Sequence, residues 1–123
     1  MPVIRIEVPE GTQQDSKRRI REGVKQAVID TLAPKETKYD YVAVREVFAE
    51  IGDGVPLVTV DLRPGRGPER KKALTDAIAA LLKKELHVEA RDIYVLFREN
   101  PAENHYAGGE PLSAWIAASE LAP

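Results

Sequence analysis

Hydrophobic spacing along this chain switches between two periods, and the switch happens twice. From Val3 to Val8, Ile4, Ile6 and Val8 alternate with Arg5 and Glu7, the period-two pattern of a strand with one buried face. Pro9-Glu10-Gly11 then predicts a turn. Beyond it Ile20, Val24, Ala27, Val28 and Leu32 recur at helical spacing, with charged residues filling the other faces. Asp15 or Ser16 is the expected cap of that helix. Tyr41 to Phe48 reads as a second strand.

The same order of elements begins again at Pro56. Leu57 to Leu62 reads as a strand, Pro64-Gly65-Arg66-Gly67 as a turn, and Leu74, Ala77, Ile78, Leu81 and Leu82 as a helical stripe. Pro68 suits the first turn of that helix. Asp92 to Arg98 closes the unit as a strand. Individual positions match as well. Pro2-Val3-Ile4 corresponds to Pro56-Leu57-Val58, Glu7 to Asp61, Gly11 to Gly65, Lys17 to Lys71 and Leu32 to Leu86. After one residue is lost from the second copy, Tyr41-Val42 corresponds to Tyr94-Val95 and Arg45-Glu46 to Arg98-Glu99. Matches in this order, accompanied by matching elements, indicate an internal duplication.

Two strands joined by a helix form a parallel pair with a right-handed crossover. The predicted fold class is therefore α/β (α+β type): tandem β-α-β units forming a four-stranded sheet with two helices on one face. Residues 1–123 are expected to form a single domain, with repeat units of about 2–55 and 56–123. The second sheet face stays uncovered unless chains associate, so an oligomer is expected. Asn100-Pro101, Gly108-Gly109 and Pro111 predict turns and a small hairpin, followed by a short apolar helix around Ala114 to Ala118.

Composition removes several function classes. Apolar residues make up 43% of the 123 positions, in the globular range. A net charge of -2 gives no general attraction to nucleic acid or to an anionic membrane, and neither partner is expected. No stretch is long and apolar enough to span a bilayer, and MPVIRIEVPEG lacks the apolar run of a signal peptide. The chain has no cysteine, which excludes disulfides, thiolate nucleophiles and cysteine-ligated zinc; a cytoplasmic location is the expectation. With His87 and His105 as the two histidines, neither a histidine-rich metal site nor a serine–histidine triad is expected.

Pro2 is the sharpest candidate. Removal of Met1 would leave a secondary amine at the start of a strand. Burial and nearby arginines both disfavour its charged form, so its pKa would fall below the ordinary terminal value of roughly 7.7–8.0. A neutral amine near pH 7 can take a proton from one atom and return it to another. The alternative is that a proline after Met1 merely limits edge pairing. Arg63 and Arg66 lie just past a strand, near a helix N-terminus, where an anion meets two positive charges and backbone N–H groups; the alternative is two solvated turn arginines. The first copy has Pro9 and Thr12 at those places, so the copies differ where charge matters. Tyr41 and Tyr94, at matching strand starts, can donate to a substrate oxygen or pack. Phe97, Tyr106 and Trp115 can wall an apolar pocket or fill core. His105 can act as an acid or stand in a surface turn. Arg45 and Arg98 suit solvated ion pairs. Gly65-Arg66-Gly67 lacks the lysine and spacing of a phosphate loop.

These features, in this order, resemble the tautomerase superfamily. Pro2 after Met1, a strand ending in Glu10-Gly11, an amphipathic helix and a strand ending in Arg45-Glu46 look like a 4-oxalocrotonate tautomerase subunit. The second unit is similar. Its Pro64-Gly65-Arg66 matches the family's glycine–arginine pair, and Glu99-Asn100, His105-Tyr106 and Gly108-Gly109 resemble its closing aromatic–glycine segment. The whole chain resembles two such subunits fused. The resemblance implies Pro2 as base and Arg66 as the carboxylate-binding arginine. Arg63 and Arg66 together resemble the arginine pair of the cis-3-chloroacrylic acid dehalogenase group. Pro56 matches a catalytic proline in position but is internal, so its nitrogen is no amine.

Departures narrow the reaction. The family's second arginine, at the start of the closing strand, is Tyr94 here and Tyr41 in the first copy. The helix histidine of the dehalogenase group is replaced by an apolar residue near Ile29, and its late glutamate has no match, Ala107 being nearest; both argue against dehalogenation. Malonate semialdehyde decarboxylases also use a terminal proline with two arginines, and Asp40 is a loose candidate for their aspartate. The expected function is thus an isomerase (keto–enol tautomerase) acting on small enolisable 2-oxo acids. Pro2 serves as general base, Arg63 and Arg66 hold the carboxylate, and Tyr41, Tyr94, Phe97 and Tyr106 contact substrate; no metal or organic cofactor is required. The alternatives are dehalogenation, hydration or decarboxylation of three-carbon acids at the same site, or a non-enzymatic oligomeric module if Met1 is retained. The resemblance also implies a homotrimer, because a hexamer of single units becomes a trimer once units are joined in pairs.

Overall fold

The computed structural model describes residues 2–33 and 40–112. β1 (Val3–Pro9) leads into α1 (Gln14–Leu32) and β2 (Tyr41–Val47). Two short strands, β3 (Glu50–Ile51) and β4 (Gly54–Val55), precede the second unit. That unit comprises β5 (Leu57–Leu62), α2 (Pro68–Leu86) and β6 (Tyr94–Glu99), and a hairpin of β7 (Tyr106–Ala107) and β8 (Glu110–Pro111) follows. The main sheet has the order β2-β1-β5-β6. Each unit contributes a parallel pair, and the units join through β1 and β5, which run antiparallel.

One core holds the arrangement together. Ile4, Ile6 and Val8 of β1, and Val58, Val60 and Leu62 of β5, pack with Ile20, Val24, Val28 and Leu32 of α1 and Leu74, Ile78 and Leu82 of α2. Both helices thus cover the same sheet face. They approach closely at Gly23, where a Cβ would come within 2.5 Å of the Leu81 side chain. The opposite face carries Arg5, Glu7, Arg45, Asp61 and Arg98 together with exposed Tyr41, Tyr94 and Leu96.

The duplication reappears in the hydrogen bonds. Arg45 donates to Glu7 at 2.7 Å and Arg98 to Asp61 at 2.8 Å. Lys17 pairs with Glu46 at 2.7 Å, and Lys71 with Glu99 at 3.3 Å. The N–H of Tyr41 donates to the Pro2 carbonyl at 3.0 Å, and that of Tyr94 to the Pro56 carbonyl at 3.2 Å.

Local boundaries differ from the pattern-based expectation in places. The N-cap of α1 is Gln13, with no side-chain cap bond; Asp15 lies inside the first turn, where a negative charge faces the positive end of the helix dipole. Pro68 does open α2, after Gly67. β2 ends at Val47, leaving Phe48 91% exposed beyond it. Asp92 belongs to a 3-10 turn, Ala90–Asp92, so β6 starts only at Tyr94. The helix expected at Ala114 to Ala118, and Trp115 with it, lies outside the described residues. Among the described residues, no helix is long and apolar enough to cross a membrane.

Candidate active site

The antiparallel join of the two units brings the start of β1 beside the end of β5. Val3 pairs with Asp61 and Ile4 with Val60, so Pro2 falls level with Leu62, next to Arg63. On its other side Val3 pairs with Tyr41 in parallel register, and the Tyr41 N–H bond to the Pro2 carbonyl sets Asp40 level with Pro2. Alternation along β1 puts Pro2 on the helix-covered face with Ile4 and Ile6, and Pro2 is buried.

Three charged residues are buried at this same end: Asp40 at 8%, Arg63 at 6% and Arg66 at 3% exposure. They are the buried polar or charged residues among those described, and none of them lacks a partner. Withdrawing charge from water is costly, and such groups concentrate where chemistry requires them. The turn that carries the arginines depends on Gly65, whose φ of 118° disfavours other residues. Gly67 then caps α2, whose first-turn N–H groups lie next to Arg66.

The first-copy counterpart of this turn is closed upon itself. Thr12 donates through Oγ1 to the Pro9 carbonyl at 2.7 Å, and the Gly11 N–H donates to Glu46 at 2.7 Å. Hydrogen bonds from Lys17, foremost, and from the Gly11 N–H hold the Glu46 carboxyl below its usual pKa. An anion approaching this turn would meet a carboxylate, whereas the second-copy turn offers two guanidiniums.

The chain therefore brings Pro2, Arg63 and Arg66 to the same end of the sheet. The aromatic residues expected to contact substrate are dispersed. Tyr41 is close in sequence to Asp40 but alternates onto the open face and is 55% exposed. Tyr94 pairs with Leu57, at the opposite end of the sheet from Pro2. Phe97 packs against the core, with the Lys71 ammonium 6.0 Å from its ring centre. Tyr106 stands in the hairpin, 67% exposed. His105 lies beside that hairpin, with Nδ1 3.0 Å from the Pro101 carbonyl oxygen. Arg45 and Arg98 pair across strands with Glu7 and Asp61, not with the glutamates that follow them.

Sequence reasoning gave Asp40 less weight than its position warrants. Its signal lay in the duplication: the residue before Tyr41 is Asp40, whereas the residue before the matching Tyr94 is the apolar Ile93. Among the described residues, no group of three or more histidine, aspartate or glutamate side chains is arranged to hold a metal ion.

Comparisons with known proteins agree with this architecture. The family model described as "Tautomerase enzyme" matches residues 56–114. Probable tautomerases of Bacillus cereus and Bacillus anthracis are each 40% identical to this chain over 60 residues, 48% of this chain and 97% of the relative. A fused 4-OT described as an asymmetric trimer superposes with a TM-score of 0.79 at 22% identity, covering 91% of this chain and 97% of its own. Another, described as a symmetric trimer, has a TM-score of 0.78 at 19% identity over 91% and 96%. A malonate semialdehyde decarboxylase has a TM-score of 0.69 at 17% identity over 86% and 90%. These structures share the fold.

Proposed function

The chain belongs to the tautomerase family, and from that premise we propose that it is a cofactor-independent isomerase of small enolisable 2-oxo acids, with Pro2 as its base after loss of Met1. The observation that carries this reading is the burial of Pro2 level with Asp40 and beside Arg63, with Arg66 in the following turn. Arg63 and Arg66 hold the substrate carboxylate and the adjacent oxygen, where negative charge grows as the enol ionises. The Pro2 nitrogen accepts the enol O–H proton, and the oxygen's electrons form the carbonyl. The carbon at the far end of the displaced double bond then takes the proton from the Pro2 ammonium. The amine returns to its neutral state, so the cycle consumes no co-reactant.

The protonation state of Pro2 decides which chemistry the site favours. Two buried guanidiniums and the apolar surroundings disfavour the ammonium; the Asp40 carboxylate favours it. On this reading burial and the guanidiniums outweigh the carboxylate, and the neutral amine is the working form. Buried Asp40 is also the observation that favours a second reading, decarboxylation of a three-carbon 3-oxo acid. There Asp40 keeps Pro2 protonated, the C1–C2 bond breaks to release CO2, and its electron pair enters the carbonyl to form an enolate steadied by the Pro2 ammonium. The resulting carbon takes up a proton afterwards.

Fused 4-OT structures described as trimers support extending a trimeric assembly to this chain. The decisive experiment pairs intact mass with turnover. Protein lacking Met1 should ketonise phenylenolpyruvate, and Pro2→Ala should lose most of that rate. Retention of Met1 with unimpaired turnover would remove Pro2 as the base.

A further inference from the structure

We infer that Asn100 is a positioning residue that sets where the chain leaves β5, and through that exit the place of Arg63. This inference rests on the proposed role of the arginine turn. Asn100 holds both of the last residues of β5. Its backbone N–H donates to the Leu62 carbonyl at 2.8 Å, and its side-chain Nδ2 donates to Asp61 Oδ1 at 3.2 Å. Nδ2 also lies 3.4 Å from the Arg98 carbonyl oxygen. Asp61 is itself fixed by Arg98 at 2.9 and 2.8 Å and by Arg5 at 3.2 Å. Arg63 is the next residue beyond this clamp.

The duplicated half shows what happens without the amide. Glu7 and Arg45 repeat the Asp61–Arg98 pair, at 3.1 and 2.7 Å, but the counterpart of Asn100 is Val47. There the ladder runs one step further, pairing Pro9 with Val47, and the counterpart of Arg63 stays within the strand. In the second half the ladder stops at Leu62 and Glu99. Strict alternation would put Arg63 on the open face with Asp61. Leu62 and Arg63 are instead buried in succession, at 0% and 6% exposure, as a chain breaking from the strand requires. Asn100 is suited to this duty: valine lacks the donor, and aspartate would set a second carboxylate against Asp61.

Asn100→Val is therefore expected to let the ladder extend and to displace Arg63. With phenylenolpyruvate, kcat/KM should fall roughly tenfold, mostly through KM. Asn100→Ser, which keeps a donor, should recover part of the loss. The Arg63→Ala, Asn100→Val double variant should be no slower than Arg63→Ala alone, since a clamp has nothing left to position. Additive losses would overturn the inference. The Arg63 Nε–H resonance gives a readout free of activity: it should be distinct in the wild type and move toward the free-arginine position in Asn100→Val. An unchanged resonance would also overturn the inference. Should Asn100→Val not fold, Asp61→Ala removes the acceptor of the same side-chain bond and is judged by the same resonance. Arg63→Ala with full activity would instead sink the functional role of the arginine turn, leaving the resonance to judge the clamp.

Discussion

The backbone N–H of Tyr41 donates to the carbonyl of Pro2 at 3.0 Å, tying the proposed base to the strand that begins beside Asp40. In the proposed processed chain this bond fixes the peptide plane after Pro2, and burial of the ring restricts where its nitrogen can point, as a proton-transfer base requires. Burial and the Arg63–Arg66 turn beside it should hold the Pro2 nitrogen below the ordinary terminal range of roughly 7.7–8.0. Titration of protein labelled with 15N-proline measures this directly. A value near 9 or above would point instead to the Asp40-supported ammonium and the decarboxylase reading.

Arg66→Ala should reduce kcat/KM far more than Arg45→Ala. Arg66 is 3% exposed in the turn beside Pro2, whereas the Arg45 side chain is 74% exposed and pairs with Glu7. Losing a charge-assisted contact to a bound carboxylate typically removes about 1.5–3 kcal/mol, or roughly ten- to a hundredfold. An exposed pair contributes about 0–1 kcal/mol. Equal losses in steady-state kinetics would mean that the anion binds elsewhere.

Asp40→Asn separates the two readings of the site by sign. Removing the carboxylate withdraws support from the Pro2 ammonium, so the Pro2 pKa should fall. Ketonisation at neutral pH, which needs the neutral amine, should survive within about tenfold. Decarboxylation of malonate semialdehyde, if the chain performs it, should fall much further. Abolished ketonisation in a folded Asp40→Asn protein would assign Asp40 a direct part in the proton transfer.

Much of this architecture was legible in the sequence because each element announces itself locally. The period-two run at Ile4, Ile6 and Val8 and the helical stripe from Ile20 to Leu32 are the residues that form the core. The convergence of Pro2 with Arg63 was less accessible. It depends on the antiparallel pairing of β1 with β5, a contact between units that neither unit's pattern specifies. Asp40 and Asn100 were given little weight for a related reason: each looks ordinary until compared with its counterpart, Ile93 or Val47. Tyr41 and Tyr94 were overweighted because matching strand starts suggested a shared role, yet the join sends them to opposite ends of the sheet.

Stability should weaken in acid partly through Asp61. Burial alone would raise its pKa, but hydrogen bonds from Arg98 and Asn100 outweigh this and hold the carboxyl below its usual value. A depressed folded-state pKa contributes stability above the unfolded value, about 3.9, and loses it as pH falls through the folded one. Asp61→Asn should therefore lower Tm at neutral pH and flatten its decline between about pH 5 and 2. A parallel offset across that range would exclude Asp61 as a source of the acid sensitivity.

The proposed trimer can be argued from the surface of a single chain. Ile4, Ile6 and Val8 are fully satisfied by the helices, so the need for a partner rests on the other sheet face. That face is mixed. Its charges are largely paired, Glu7 with Arg45 and Asp61 with Arg5 and Arg98. Around them stand Tyr41, Tyr94 and Leu96 at 55%, 65% and 42% exposure, with Phe48 at 91% and Ile51 at 44% near the sheet's end. An antiparallel sheet can leave one face in water, but parallel pairs are normally covered on both faces, and both outer pairs here are parallel. Exposed large apolar side chains at both ends of this face leave it surface that a partner can cover. Three copies can close around one axis with the same contact repeated three times. Size exclusion with light scattering should then give about 41 kDa, from three chains of 13.6 kDa. Phe48→Ser should shift the population toward single chains if this exposed ring lies in the contact. A wild-type mass near that of one 13.6 kDa chain at micromolar concentration would show that the mixed face is stable in water, and the trimer would be abandoned.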